Sequence, residues 1–526
     1  MPLLTPTRAL VVLTSFLLVS FLWTWGLPHQ YAAPTLPIVN HDKGEEKPIA
    51  GQLLPEPLIA NVGAEGAKNE KATPTTLVTE MKPGPTRSAD IGSDKNCKDV
   101  RGASDVMIVI RTSRAEVEKP PAHLVKLLAC AHHFLIFSDH EGEIDGHPIH
   151  DALDIIPNTT RSNHEEFLEY EKMKADKKYK PSTEKAKALD KWKWLPMVYK
   201  VATMAPNHRF YMFIEPETSL SWTNLLQWLD RLDYRIPYYS GVPDTVDDKR
   251  YAQRSPGIML SYGALQQYWP RHEELYATEW EPLAATESRG SLILATAMKQ
   301  AHVEFYSSFG LLDPETPSSL IWGQKFWCTP VVSWHGLTST QADSLWDTQE
   351  AWTKKHGWAT PYTHYNAFEQ FVKPHLAEQK EDWDNVSSDT QLTAESGRRE
   401  KLAKQKAEGK AEGTIEHQVP KDPPKDASKN TKPFPKRDDS LDTLFQVAAD
   451  SPENCKATCQ KTDDCLQWKY TPAGDGACHL GKSLRLGAKV NPDAKGKWTS
   501  GWMLDRVNRI TEEWGRCERA EWRFNQ

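Results

Sequence analysis

The stretch Arg209-Phe-Tyr-Met-Phe-Ile-Glu-Pro-Glu-Thr-Ser-Leu-Ser-Trp222, continuing as Thr-Asn-Leu-Leu-Gln-Trp-Leu229, decides the fold of this chain. Phe210 to Ile214 is a short, aromatic-rich apolar run bounded by polar residues, which predicts a buried strand. It ends abruptly in two carboxylates one residue apart, Glu215 and Glu217. Beyond Ser221, which suits a helix N-cap, Leu225, Leu226, Trp228 and Leu229 fall at helical spacing. Acids at the C-terminal end of a parallel strand, in the turn into a helix, sit where open α/β sheets bind ligands. An acid-x-acid pair supplies hard oxygen ligands and so suits Mg²⁺ or Mn²⁺ holding a diphosphate. The alternative is that the two glutamates simply serve the positive N-terminal end of the helix.

The same alternation extends on the N-terminal side. Val106 to Ile110 (VMIVI) reads as a continuous buried strand with a turn at Arg111-Thr112-Ser113. A helix follows around Pro121 to Cys130, and Phe134 to Phe137 is a second strand ending at Ser138-Asp139-His140. An acidic, lysine-rich insertion spans about residues 160–187, and a helix then runs from Leu189 into Met204. Apolar strands alternating with helices predict an α/β domain with a mostly parallel central sheet.

At 526 residues the chain suggests about two or three domains. A net charge of −7 and a pI near 6.2 give no support for nucleic-acid binding. A charged content of 26% with mean hydropathy −0.62 describes a soluble body with polar linkers, not a polytopic membrane protein. Twenty tryptophans are many; Trp192, Trp194, Trp334 and Trp346 lie in polar contexts, where they can stack on sugar rings or belong to the core.

Residues 9–27 form an uncharged apolar run after Arg8, close to the ~20 residues of a membrane-spanning helix, with Trp23 and Trp25 at its far end. This predicts a short signal-anchor, with residues 1–8 cytosolic and the remainder luminal. A cleaved signal peptide is the rival, although no clean small-x-small site precedes the tryptophans. Residues 28–95 read as a disordered stem, 96–374 as the α/β domain, 375–440 as a low-complexity linker and 441–526 as a terminal module. Two sequons, at Asn158 and Asn385, and eight cysteines agree with a luminal setting. Cys455, Cys459, Cys465 and Cys478 crowd together at spacings that match no common zinc finger, so disulfides are expected.

Taken together, these blocks resemble the fringe-like and core-1 β1,3-galactosyltransferase family (glycosyltransferase family 31), in its fungal form with an appended PAN/Apple-like module. Val106 to Thr112 resembles the family's nucleotide-facing strand, and Phe137-Ser138-Asp139 its F-[ST]-D by the uridine. Asp190-Lys-Trp-Lys-Trp-Leu-Pro-Met197 is similar to a helix offering a lysine to the donor, here Lys193. Ser255-Pro-Gly257-Ile-Met-Leu-Ser261 looks like the small-residue turn on the acceptor side. Trp327-Cys-Thr-Pro-Val-Val-Ser-Trp334-His335 resembles the closing strand whose histidine completes a metal site.

The resemblance implies a GT-A-like, inverting β1,3-glycosyltransferase in the Golgi membrane. It would move a sugar from a UDP-sugar donor, galactose first, to a glycan or glycoprotein acceptor. Arg111, Thr112, Ser138, Asp139 and Lys193 would bind the donor, Glu215, Glu217 and His335 would ligate Mn²⁺ or Mg²⁺, and Gly257 and Trp334 would face the acceptor. The PAN-like likeness implies nested bridges Cys455–Cys478 and Cys459–Cys465. Of the other four cysteines, Cys97–Cys130 ties the domain's start to its first helix, and Cys328–Cys517 follows by elimination.

Two departures from the family pattern stand out. The metal motif reads Glu-Pro-Glu, where the family has an aspartate. The base normally opens a late helix, but the matching stretch is Ala285-Thr-Glu287-Ser-Arg-Gly-Ser291, so Ser291 stands in the base position and Glu287 lies about a turn before it. A serine cannot act as that base unaided. The sequence therefore also admits a catalytically weak or inactive sugar-nucleotide or glycan-binding relative, or a recognition protein working through its terminal module.

Overall fold

The computed structural model describes residues 97–116, 122–393, 444–445, 447–474, 476–491 and 497–524. The expected cytosolic tail, signal-anchor and stem lie outside these residues, as does the linker from 394 to 440. No helix among the described residues is long and apolar enough to cross a membrane.

The fold is α/β. Its first strands are β1 (Val106–Arg111), β2 (His133–Ser138), β3 (Gly142–Ile144), β4 (His147–Asp151) and β5 (Phe210–Ile214). After the two-residue β6 (Ser219–Leu220) come β7 (Tyr238–Gly241), β8 (Pro243–Val246), β9 (Lys249–Ala252) and β10 (Ile258–Ser261). The series continues with β11 (Glu304–Ser307), β12 (Leu312–Asp313) and β13 (Ser333–Trp334). Eight of them form one sheet in the order β11-β7-β10-β5-β1-β2-β4-β3. At its centre β1 runs parallel to both neighbours, pairing Ile110 with Ile136 on β2 and with Ile214 on β5. Every residue of β1 and β5 is buried. At about 1.5–3 kcal/mol per fully buried aliphatic side chain, these two strands anchor the domain.

The sheet is mixed rather than mostly parallel, because β10 runs antiparallel to both β5 and β7, and β3 antiparallel to β4. The physical reason is connection length. The chain leaves β7 through the β8–β9 hairpin and returns without a crossover helix, so it re-enters the sheet in the opposite direction.

Four helices matter for the site: α1 (Ala122–Cys130), α2 (Trp194–Met204), α3 (Trp222–Leu229) and α4 (Gly290–Gln300). Ser221 caps α3 as expected, its side chain accepting from the Asn224 N–H. Trp192, Trp194, Leu195 and Val198 pack with Tyr211 and Phe213 of β5 in the main core, which settles those two tryptophans as core residues. A three-stranded sheet, β12-β13-β6, lies beside the end of β5, with Trp334 opposite Ser219.

The tail forms a five-stranded antiparallel sheet in which Gln467–Thr471, Ala477–Gly481 and Thr499–Trp502 pair with Lys380–Glu381 and Thr390–Thr393. Residues 380–393 therefore belong to the folded tail and not to the linker assigned to 375–440. Such short strands have little periodicity of their own and are fixed by distant partners. All four expected disulfides are present: Cys97–Cys130, Cys328–Cys517, Cys455–Cys478 and Cys459–Cys465.

The two sequons differ. Asn158 is exposed at the start of a short helix. Asn385 is completely buried; its side-chain amide donates to the Trp468 and Gly501 carbonyls and accepts from Ser387. A glycan has no room there, so the expectation of N-glycosylation at Asn385 is corrected.

Candidate functional site

The C-terminal ends of β1, β2 and β5 bring five expected residues into one place, and the chemistry there is a charge network. Arg111, the last residue of β1, reaches two carboxylates: one guanidinium nitrogen meets Asp190 and another meets Glu215. Arg254 approaches the same pair, at 3.2 Å from Asp190 and 3.4 Å from Glu215. Lys193, at the N-terminal boundary of α2, donates to Asp190 at 2.8 Å and to the Thr112 carbonyl at 2.9 Å. The hydroxyl of Ser255 donates to the other oxygen of Glu215. Arg111 also lies over the Trp194 ring, 5.0 Å from its centroid.

Burial alone would push the Arg111 pKa down, but Asp190 and Glu215 outweigh it and raise it. Burial likewise opposes the charge of Asp190, yet Arg111 and Lys193 hold its carboxyl well below the usual range. Desolvation also works against the charge of Glu215, and there Arg111 and Arg254 prevail and hold it low. Arg111, Asp190 and Glu215 are therefore all charged at neutral pH.

Asp139 closes the end of β2. It is fully buried and accepts from the Arg114 N–H at 2.9 Å and from the Ser138 hydroxyl at 3.0 Å, while its second oxygen has no partner. Buried polar atoms without partners recur along this edge: Nε of Arg111, Oγ1 of Thr112, Oγ of Ser113 and Nδ1 of His335. Comparable atoms occur elsewhere in the core, on Trp228, Ser240 and Trp468 among others, so they do not by themselves mark a ligand site. A cavity of about 430 Å³ opens beside them, between α1 and strands β1, β2 and β4, sharing Thr112, Ser113 and Pro216 with the edge.

The acid-x-acid pair divides. Glu215 is buried and spends both oxygens on protein partners, whereas Glu217 is exposed. Neither caps α3, because β6 intervenes and Ser221 performs that task. His335 follows β13 closely enough to feel both glutamates, although burial lowers its pKa below the ordinary value. Among the described residues no three histidine, cysteine, aspartate or glutamate side chains converge to hold a metal ion. As arranged, Glu215, Glu217 and His335 do not fit a resident divalent cation, because Arg111 and Ser255 occupy the carboxylate of Glu215.

The remaining expected residues sit further out. Gly257 is buried at φ 131°, and a Cβ there would meet Met212 at 2.6 Å and the Phe213 carbonyl at 3.1 Å, so it is a packing glycine of the β5–β10 pair. Trp334 is fully buried against Trp322 and His364 and cannot stack on an acceptor sugar, which corrects its acceptor-side role. Ser291 lies in the first turn of α4 and is buried. Gly290 beside it fits tightly against Trp194 and Lys191, placing that turn at the N-terminal end of α2, next to the network. Glu287 is half-buried, and its carboxylate accepts from the Arg289 N–H at 2.9 Å within its own loop.

The sequence by itself does not single out Asp190, Arg254 or Ser255 as site residues. Asp190 stands three residues before Lys193, a helical ion-pair spacing, and Arg254-Ser255 immediately precedes Pro256-Gly257; polar residues at element ends are the signal that could have found them. No protein-family model matches the chain, and no curated protein matches it.

Proposed function

We propose that this chain is a sugar-nucleotide-dependent glycosyltransferase of the GT-A-like type, carrying a PAN/Apple-like tail module. The observation that carries this reading is the polar edge made by Arg111, Thr112, Ser113 and Asp139. They line the C-terminal edge of parallel strands, next to a largely apolar cavity and a cationic network. In this reading the nucleoside would enter the cavity, whose polar rim includes Thr112, Ser113 and His140, and the diphosphate would lie towards Arg111, Lys193 and Arg254. The acceptor would be a glycan or glycoprotein, the linkage β1,3, and the setting a Golgi membrane.

In an inverting transfer the acceptor hydroxyl attacks the anomeric carbon in line. The bond to the nucleotide oxygen breaks, the diphosphate leaves with the electron pair, and the hydroxyl proton passes to a base. The chain's cations stabilise the negative charge that builds on the leaving diphosphate. Calorimetry with a panel of UDP-sugars tests the binding step, and UDP release in the presence of glycan acceptors tests the transfer. Absence of binding by every member of the panel would refute the reading.

Ser291 favours a second reading on the same fold, a protein that binds the donor and transfers it slowly or not at all. A hydroxyl replaces the carboxylate expected there, and Glu287, about a turn earlier in the chain, accepts from Arg289 within its own loop.

A further inference from the structure

Of the three residues expected to hold a metal, Glu215 is paired with the protein's own cations, Arg111 and Arg254. Three positive groups, Arg111, Lys193 and Arg254, touch two negative ones, Asp190 and Glu215, and Lys193 also acts on the nearby carboxylate of Asp139. We infer that this cluster, and not a divalent ion, neutralises the diphosphate of the bound nucleotide; the inference rests on the sugar-nucleotide reading above.

Several features of the cluster fit that task. Arg111 is 4% exposed, and its two terminal guanidinium nitrogens are held by Asp190 and Glu215, which fixes its charge beneath the edge. Lys193 is buried and spends two of its three donors, on Asp190 and on the Thr112 carbonyl, so it adds its charge to the edge from below. Arg254 is the outermost member: its side chain is 41% exposed and its contacts to the acids are the longest in the cluster. An incoming diphosphate can draw Arg254 away and still leave both acids paired with Arg111. Arginine presents a planar fork that matches two phosphate oxygens, and in a partly buried site it supplies charge neutralisation of the kind a metal gives. The carboxylates that would otherwise ligate a metal are put to a different use, since Glu215 and Asp190 hold Arg111 charged and oriented.

Titration calorimetry of the purified full-length chain with UDP, in EDTA and in MnCl₂, tests this. The expected result is equal affinity in both buffers, within about threefold. Arg254→Gln is expected to weaken UDP about tenfold or more in both, the loss of a charge-assisted phosphate contact. Its affinity for uridine, which lacks phosphate, should be unchanged. UDP binding that appears with Mn²⁺ and vanishes in EDTA would overturn the inference while leaving the sugar-nucleotide reading intact. Failure of UDP to bind in either buffer would overturn both. The buffer comparison uses the unaltered chain and so remains decisive even if Arg254→Gln folds poorly; a matching melting temperature without UDP establishes that it does not.

Discussion

A buried guanidinium is costly unless its charge is matched, and Arg111 is matched twice, by Asp190 and by Glu215. Both carboxylates have folded pKa values below their ordinary 3.8 and 4.5. For a depressed pKa the stabilisation is fully present above the unfolded value and is lost as pH falls through the folded one. Urea denaturation should therefore show stability falling as pH drops below about 4.5, with this contribution flat from about pH 5 to 8. Replacing Arg111 by Gln should reduce the acid slope, and an unchanged slope would show that the pairing does not hold these groups ionised. The sequence hides this network because its partners lie far apart, Arg111 and Glu215 being separated by 104 positions.

Ser291 carries the sharpest catalytic prediction. A missing general base forfeits about 10²–10⁴-fold in rate. Ser291→Asp should then raise transfer by about tenfold or more without altering donor affinity, because the base acts on the acceptor hydroxyl. If Glu287 has taken over the role, Glu287→Gln silences the enzyme and Ser291→Asp changes little. Rapid wild-type turnover that survives both substitutions would contradict either explanation.

At the scale of elements, the strands and helices legible in the sequence are those whose partners are local or whose pattern is strong. β1 and β5 are continuous apolar runs, and α3 has both a cap and a periodic face. The strands at 380–393 are not legible, since polar residues such as Gln391 become strand only by pairing with the tail. The same burial gives Asn385 a structural role. Its amide joins separate segments of the tail sheet, so Asn385→Ala should destabilise the tail by about 1–3 kcal/mol by leaving buried carbonyls unpaired. Peptide mass spectrometry should find glycan at Asn158 only. A glycan on Asn385 in folded protein would contradict the placement of this segment.

Across the whole described body, the tail and the α/β domain share one core. Trp322, Trp327 and Trp334 pack with Leu484, Leu486, Trp502 and Val507, while Cys328–Cys517 staples the two together. Trp327 donates to the Gly515 carbonyl at 2.9 Å, and Phe524 stacks on Tyr306 with the rings 10° from parallel. The nested pairs Cys455–Cys478 and Cys459–Cys465 are legible only through the PAN-like resemblance that implies them; the shared core is not legible, since it joins residues far apart in the chain. Removing the staple with Cys328→Ser and Cys517→Ser should lower stability by about 2–5 kcal/mol, read as a fall in melting temperature. An unchanged melting temperature would mean that the tail docks without it.

Everything proposed for this molecule depends on a nucleotide diphosphate binding at the C-terminal edge of β1, β2 and β5. A crystal structure of the chain soaked with UDP tests that binding most directly. The diphosphate should lie within hydrogen-bonding reach of Arg111, Lys193 and Arg254, with the uracil beside Ser138 and Asp139. UDP seated elsewhere, or an empty edge at saturating UDP, would contradict it.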